Sequence, residues 1–259
     1  MTLVLFLAGT AWGGMTKDEA FSSFIKANLV YKDGKYDEAI KIYDDIIRSG
    51  WASGSVYYNL GNSCVKKSQW GRAILNYERA RLLIPRDGDL QSNYAYALSQ
   101  TRVPSSDDNS LFVREYNKFL RYYTLNEFIL AFSILGFLLL GVQLCAVYLS
   151  WPPISTRRIL LAMGVFSCLI FVSAVIKFNS VHEYSIVVAE GAAKFEPRIE
   201  ATTYFDLYPG EKVRATKQDG PWVKVKRSDG RSGWIRIENV EDIYTSQSAH
   251  QSITKAGSP

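Results

Sequence analysis

Residues 59–85 read NLGNSCVKKSQWGRAILNYERARLLIP, and residues 26–47 read KANLVYKDGKYDEAIKIYDDII. Laid over one another, Ala27 falls on Gly61, Asn28 on Asn62, Tyr36 on Trp70, Ala39 on Ala73, Ile40 on Ile74 and Tyr43 on Tyr77, each pair 34 residues apart. A fixed interval of that length marks stacked helical units and takes precedence over other patterns. Small residues (Ala27, Gly61, Ala39, Ala73, Ala80) sit where two antiparallel helices approach most closely. Tyr43 and Tyr77 fill the space between successive pairs, and Pro85 falls where a helix must stop. DLQSNYAYALSQTR, residues 89–102, shifts the register once more by 34, with Asn93 answering Asn59 and Ala95 answering Gly61. That half unit reads as a solvating cap and predicts about five helices in all. Two and a half units are few for a self-standing array, because each buries its apolar face only on its neighbours. Some further support is therefore expected.

YYNLGN (residues 57–62), Trp70, Ala73 and Ile74, Tyr77, Ala80 and Pro85 carry nearly the whole motif of the tetratricopeptide repeat family, which residues 16–103 resemble. The first copy lacks the terminal proline and has Ala27 where the family has glycine. The resemblance implies an all-α array that binds partners on a concave face lined by the first helix of each pair. It places Asn28 and Asn62 where a side-chain amide holds a peptide backbone. Phe24, Tyr31, Tyr58, Val65 and Lys66 line the same groove, with Tyr96 on the cap helix. Capture of a C-terminal carboxylate would need basic residues on the third unit, where this chain has Asp89, Ser92 and Asn93. The competing reading, that both asparagines hydrogen-bond within the array, stays open at this stage.

The rest of the chain sorts by hydropathy and charge. Its 259 residues (29.2 kDa) carry a net charge of +5, with 47% hydrophobic and 21% charged residues. Wholesale disorder is excluded, and the scattered charge gives no case for nucleic acid. From Phe128 to Thr156 no charge occurs, nor from Ile159 to Ile176, with Arg157 and Arg158 between the two runs. Runs of that length match the ~30 Å hydrocarbon core of a bilayer. They predict two spanning helices over 125–150 and 158–178, joined by a loop SWPPISTRR. Residues 104–124 comprise a Pro/Ser-containing linker and a basic, aromatic juxtamembrane helix. Residues 1–14 hold an apolar core followed by small residues and read as a secretory signal peptide, though no basic residue precedes the core. An exported N-terminus followed by a hairpin puts both water-soluble parts outside the cytoplasm. The flanking charges pull in both directions and do not decide the topology. The three cysteines, Cys64, Cys145 and Cys168, are expected to be buried structural residues.

From 184 to 245 the pattern is five or six short strands. Turn signals at Pro209-Gly210, Asp219-Gly220 and Asp229-Gly230 recur about ten residues apart, which suggests a small barrel. Alternation assigns Val213, Ala215, Val223 and Val225 to its core and Lys212, Arg214, Lys224 and Lys226 to its outer face. VVAEGAAKFEP, LYPGEKV, GPWVKVKRSDGRSGWI and NVEDI resemble a bacterial SH3 domain. Arg236 stands where proline-binding relatives carry proline, which disfavours a proline-rich ligand. Trp222 and Trp234 are candidates for a binding ridge, or for packing. Residues 246–259 read as a disordered tail.

Neither histidine, His182 nor His250, belongs to a metal-spaced pair, and no nucleophile elbow or phosphate-binding glycine loop occurs. No enzymatic activity, cofactor or metal is expected. The order of parts resembles the BatE-type family of tetratricopeptide proteins from bacterial aerotolerance operons. That resemblance implies a scaffold in the inner membrane working with von Willebrand A-domain proteins and a MoxR-type ATPase. The sequence thus predicts a multidomain membrane protein with a helical array, a two-helix hairpin in the lipid bilayer and a small β-domain. Its predicted role is to join periplasmic or membrane proteins through the groove. The alternative is a cell-wall module whose SH3-like part binds peptidoglycan, which retention on sacculi would reveal.

Overall fold

The computed structural model describes residues 15–103 and 111–244. The expected signal peptide, the linker over 104–110 and the tail from 246 lie outside the described residues.

Five helices precede Val103: α1 (Lys17–Lys32), α2 (Tyr36–Arg48), α3 (Gly54–Lys66), α4 (Trp70–Leu83) and α5 (Gly88–Ser99). Their starts are set by local chemistry. Thr16 and Glu19 form a reciprocal capping box on α1, Ser53 caps α3 through the Val56 amide, and Asp87 caps α5 through the Leu90 amide. The turn between α1 and α2 passes through Gly34 at φ +78°, and that between α3 and α4 passes through Ser68, 34 residues later, at φ +55°. The small residues are where close approach requires them. Ala27, Ala39, Ala73 and Ala80 are wholly buried. A Cβ on Gly61 would lie 2.5 Å from the Tyr77 ring.

After these come α6 (Leu111–Tyr122), α7 (Leu125–Tyr148) and α8 (Pro153–His182). A second capping box, Thr124 with Glu127, separates α6 from α7, so residues 111–122 form a helix of their own. α7 and α8 pack as an antiparallel hairpin, with the Phe132 and Phe171 rings 5.7 Å apart. Leu125–Tyr148 and Thr156–Asn179, with mean hydropathies of 2.4 and 2.7, are long and apolar enough to cross a membrane. Two expectations need correction here. Arg157 and Arg158 lie in the first turns of α8, not in a loop, because Pro153 fits the first helical position and starts the helix early. Cys145 and Cys168 are exposed on the outside of the hairpin, since two helices cover only one face of each other; only Cys64 is buried.

The remaining chain forms one seven-stranded antiparallel sheet in the order β3-β2-β6-β5-β4-β1-β7. Its strands are β1 (Ser185–Val187), β2 (Gly191–Lys194), β3 (Thr203–Leu207), β4 (Lys212–Asp219), β5 (Trp222–Lys226), β6 (Ser232–Arg236) and β7 (Val240–Asp242). The outer two of sequence, β1 and β7, are three residues each, too short to show alternation. Gly210, Gly220 and Gly230 take φ of +92°, +53° and +89° at the three expected turns. Val187, Ala193, Phe205, Leu207, Val213, Val223, Val225 and Ile235 form a single buried cluster, so the sheet curls around its own core. Ala215 is exposed, contrary to its assignment. β1 pairs with β4 only as far as Val213, and a bulge follows between Ala215 and Lys217, so nothing covers Ala215.

The sheet packs on the helical array. Ile186 beside β4 and Ile243 after β7 belong to the same buried cluster as Ile46, Leu60, Ile74 and Tyr77.

Candidate functional site

Each helical pair repeats one hydrogen-bonded unit. Tyr43 donates its hydroxyl to Asn28 Oδ1 at 2.6 Å, and Asn59 Nδ2 donates to the same oxygen at 2.8 Å. Thirty-four residues on, Tyr77 donates to Asn62 Oδ1 at 2.7 Å and Asn93 Nδ2 donates to it at 3.0 Å. Asn93 Nδ2 also reaches the Tyr58 hydroxyl at 2.9 Å. The ring pairs repeat as well: Phe24 with Tyr43 at 6.2 Å, Tyr58 with Tyr77 at 6.1 Å. Burial pushes the Tyr43 phenol up to about 12 and raises that of Tyr77 too, so both remain neutral donors at physiological pH.

Each asparagine therefore has its oxygen committed inward by two donors, while no described residue accepts from either Nδ2. Half-buried Phe24, Tyr31, Tyr58 and Val65 and exposed Lys66 flank the two amides on α1 and α3. Tyr96 occupies the asparagine position of the third copy. It is 53% exposed and meets Trp70 edge-on at 6.1 Å. Sequence reasoning assigned Asn28 and Asn62 and used the 34-residue spacing of Asn59 and Asn93 only to set the register, not to see that these two bridge one pair to the next.

A second cluster that the sequence did not announce joins α4 to the sheet. Arg79, 7% exposed, donates Nε to the Ile243 carbonyl at 3.1 Å, and Nη2 to the Asp242 carbonyl at 2.7 Å and to Glu241 Oε1 at 2.9 Å. Glu78 is buried and receives Lys212 at 2.8 Å, Arg81 at 3.1 Å and the Tyr94 hydroxyl. Burial alone would raise its carboxyl, but the Lys212 and Arg81 charges and the hydrogen bonds outweigh this and hold it down at about 2. A Cβ on Gly71 would stand 2.4 Å from the Val188 carbonyl oxygen. Nearby, a cavity of about 620 Å³ opens among Glu78, Arg121, Glu211 and Arg227.

On the sheet, Trp222 and Trp234 are 7% and 8% exposed. Trp222 lies beneath the charges of Arg236 and Lys194, 5.2 and 6.0 Å from its ring centre. Both indoles are packed into their own domain and neither stands out as a ridge. Cys64 is fully buried, and burial pushes its thiol up to about 12. Among the described residues no group of three or more His, Cys, Asp or Glu side chains is placed to hold a metal ion.

No family model matches this chain, and no curated protein is significantly similar to it.

Proposed function

We propose that this protein is a membrane-anchored scaffold that holds partner proteins in the groove of a tetratricopeptide-type array. In this reading α7 and α8 span the inner membrane, and the SH3-like sheet buttresses the array. Both water-soluble parts face the periplasm. The observation that supports it is the repeated amide: two asparagines, 34 residues apart, have their oxygens occupied from within and their N–H₂ groups left over. Donors at one face with aromatic rings beside them suit the carbonyls of an extended peptide, the chemistry expected of a protein partner. The BatE-type resemblance makes von Willebrand A-domain membrane proteins the partners to look for first.

The double change Asn28→Asp and Asn62→Asp separates binding from folding. An aspartate keeps the oxygen that Tyr43, Asn59, Tyr77 and Asn93 donate to, and replaces the outward donor with an acceptor. Partners that co-purify with the full chain from detergent-solubilised membranes should be lost, with melting temperature nearly unchanged. A partner carbonyl left without its donor costs about 1–3 kcal/mol when buried. Undiminished co-purification would rule out the groove amides as the contact.

A further inference from the structure

The helical array ends differently at its two edges. On α5 the exposed side chains include Gln91, Ser92 and Ser99, and Tyr96 is the one large apolar side chain among them, as suits a terminal cap. On α1 the corresponding edge exposes Phe21 at 65%, Ile25 at 44% and Leu29 at 56%. The 34-residue register shows what these positions are for. Leu29 corresponds to Ser63 and Ala97, both wholly buried against the preceding helix, and Ile25 corresponds to Asn59 and Asn93, which bond to the preceding pair. Phe21 stands where later copies carry Ser55 and Asp89. The face of α1 that would meet a preceding unit is thus enlarged and apolar, and among the described residues no element precedes α1 to cover it.

The pattern on that face is symmetric. Phe21 and Leu29 lie four residues either side of Ile25, and Asp18 and Lys32 lie seven either side. At 3.6 residues per turn all five side chains fall within about 40° of Ile25 on the helix circumference. Asp18 and Lys32 are both exposed, and among the described residues neither has an ion-pair partner. We infer that α1 pairs antiparallel with α1 of a second copy of this chain, about a two-fold axis at Ile25. Such an axis sets Ile25 against Ile25 of the partner subunit and Phe21 against Leu29 of the partner subunit. Asp18 then meets Lys32 of the partner subunit, and the same contact recurs on the other side of the axis. Each contact occurs twice, as a two-fold interface demands. The helix dipole accounts for an acid at the start of α1 and a base at its end. It does not account for both standing on the apolar face, in line with Ile25. A different protein would have no reason to match this symmetry, whereas a second copy matches it automatically.

The test uses the full chain in its native membranes, with Cys145 and Cys168 changed to serine. Ile25→Cys should give a covalent dimer of twice the chain mass under mild oxidation, and Lys26→Cys, about 100° round the helix, should give none. In the Ile25→Cys chain, Asp18→Lys or Lys32→Asp alone should each lower the dimer yield several-fold, and the two together should restore it. Sedimentation of the otherwise unaltered chain in detergent should report a dimer, and Ile25→Glu a monomer with an unchanged circular dichroism spectrum. A monomeric unaltered chain would overturn the inference. So would a covalent product of any other mass, equal cross-linking at 25 and 26, or a double charge exchange weaker than either single one.

Discussion

Two buried carboxylates at the junction of helices and sheet show how differently neighbouring sites treat the same group. Glu78 is surrounded by donors, and its carboxyl sits at about 2. Its contribution is present above the ordinary value of 4.5 and is lost as pH falls from there toward 2. Glu211 is 3% exposed; neither oxygen has a hydrogen-bond partner among the described residues, and Arg227 Nη1 is 3.9 Å away. Burial raises its carboxyl, which the Arg227 charge offsets only in part, so the sign is opposite: stability is greatest when the group is protonated and falls as pH rises through its raised pKa. Glu211→Gln, which removes the buried charge and keeps the side chain's shape, should therefore stabilise the full chain at pH 7. Thermal melts of both proteins from pH 7 down to 4 should show the gain shrinking as pH falls. A gain that is constant or grows with acid would contradict this account of Glu211.

At the level of elements, α3 and α4 depend on one glycine. A leucine at Gly61 would push directly into the Tyr77 ring, which is fixed at its far end by Asn62. Gly61→Leu should cost about 3 kcal/mol and lower the melting temperature of the full chain by many degrees. Melting like the unaltered protein would show that the two helices do not meet there. That contact was legible in the sequence because Gly61, Ala73 and Tyr77 form a local pattern repeated at a constant interval. The two apolar helices and three glycine turns were legible for the same reason. What the sequence hid is non-local or terminal. Arg79 and Ile243 are 164 residues apart, and nothing in the local sequence of either names the other. In the structure α4 buries an unbroken run from Ala73 to Ala80, but Asn76, Glu78 and Arg79 within it read in sequence as a solvated face, so the run gave no warning of a second covered side. Ala215 was misjudged because alternation tells which face a residue takes, not whether anything covers it.

For the whole molecule, the sheet supplies the support that two and a half helical units lack. Ile186 and Ile243 complete the core of the array, Arg79 satisfies two carbonyls at the end of the sheet, and both parts lie at the open end of the α7–α8 hairpin. Removing the sheet would thus uncover α4. In the proposed topology a reporter active only in the cytoplasm, fused after Pro259, should be silent; activity there would place the sheet on the opposite side. The docking itself is most directly tested by hydrogen exchange on the full chain carrying Gly71→Ala. The added methyl would press on the Val188 backbone, which cannot move without displacing β1. If array and sheet form one cooperative unit, protection should fall together in α4, β1 and β7. Loss of protection confined to α4, with β1 and β7 exchanging as in the unaltered chain, would contradict the account.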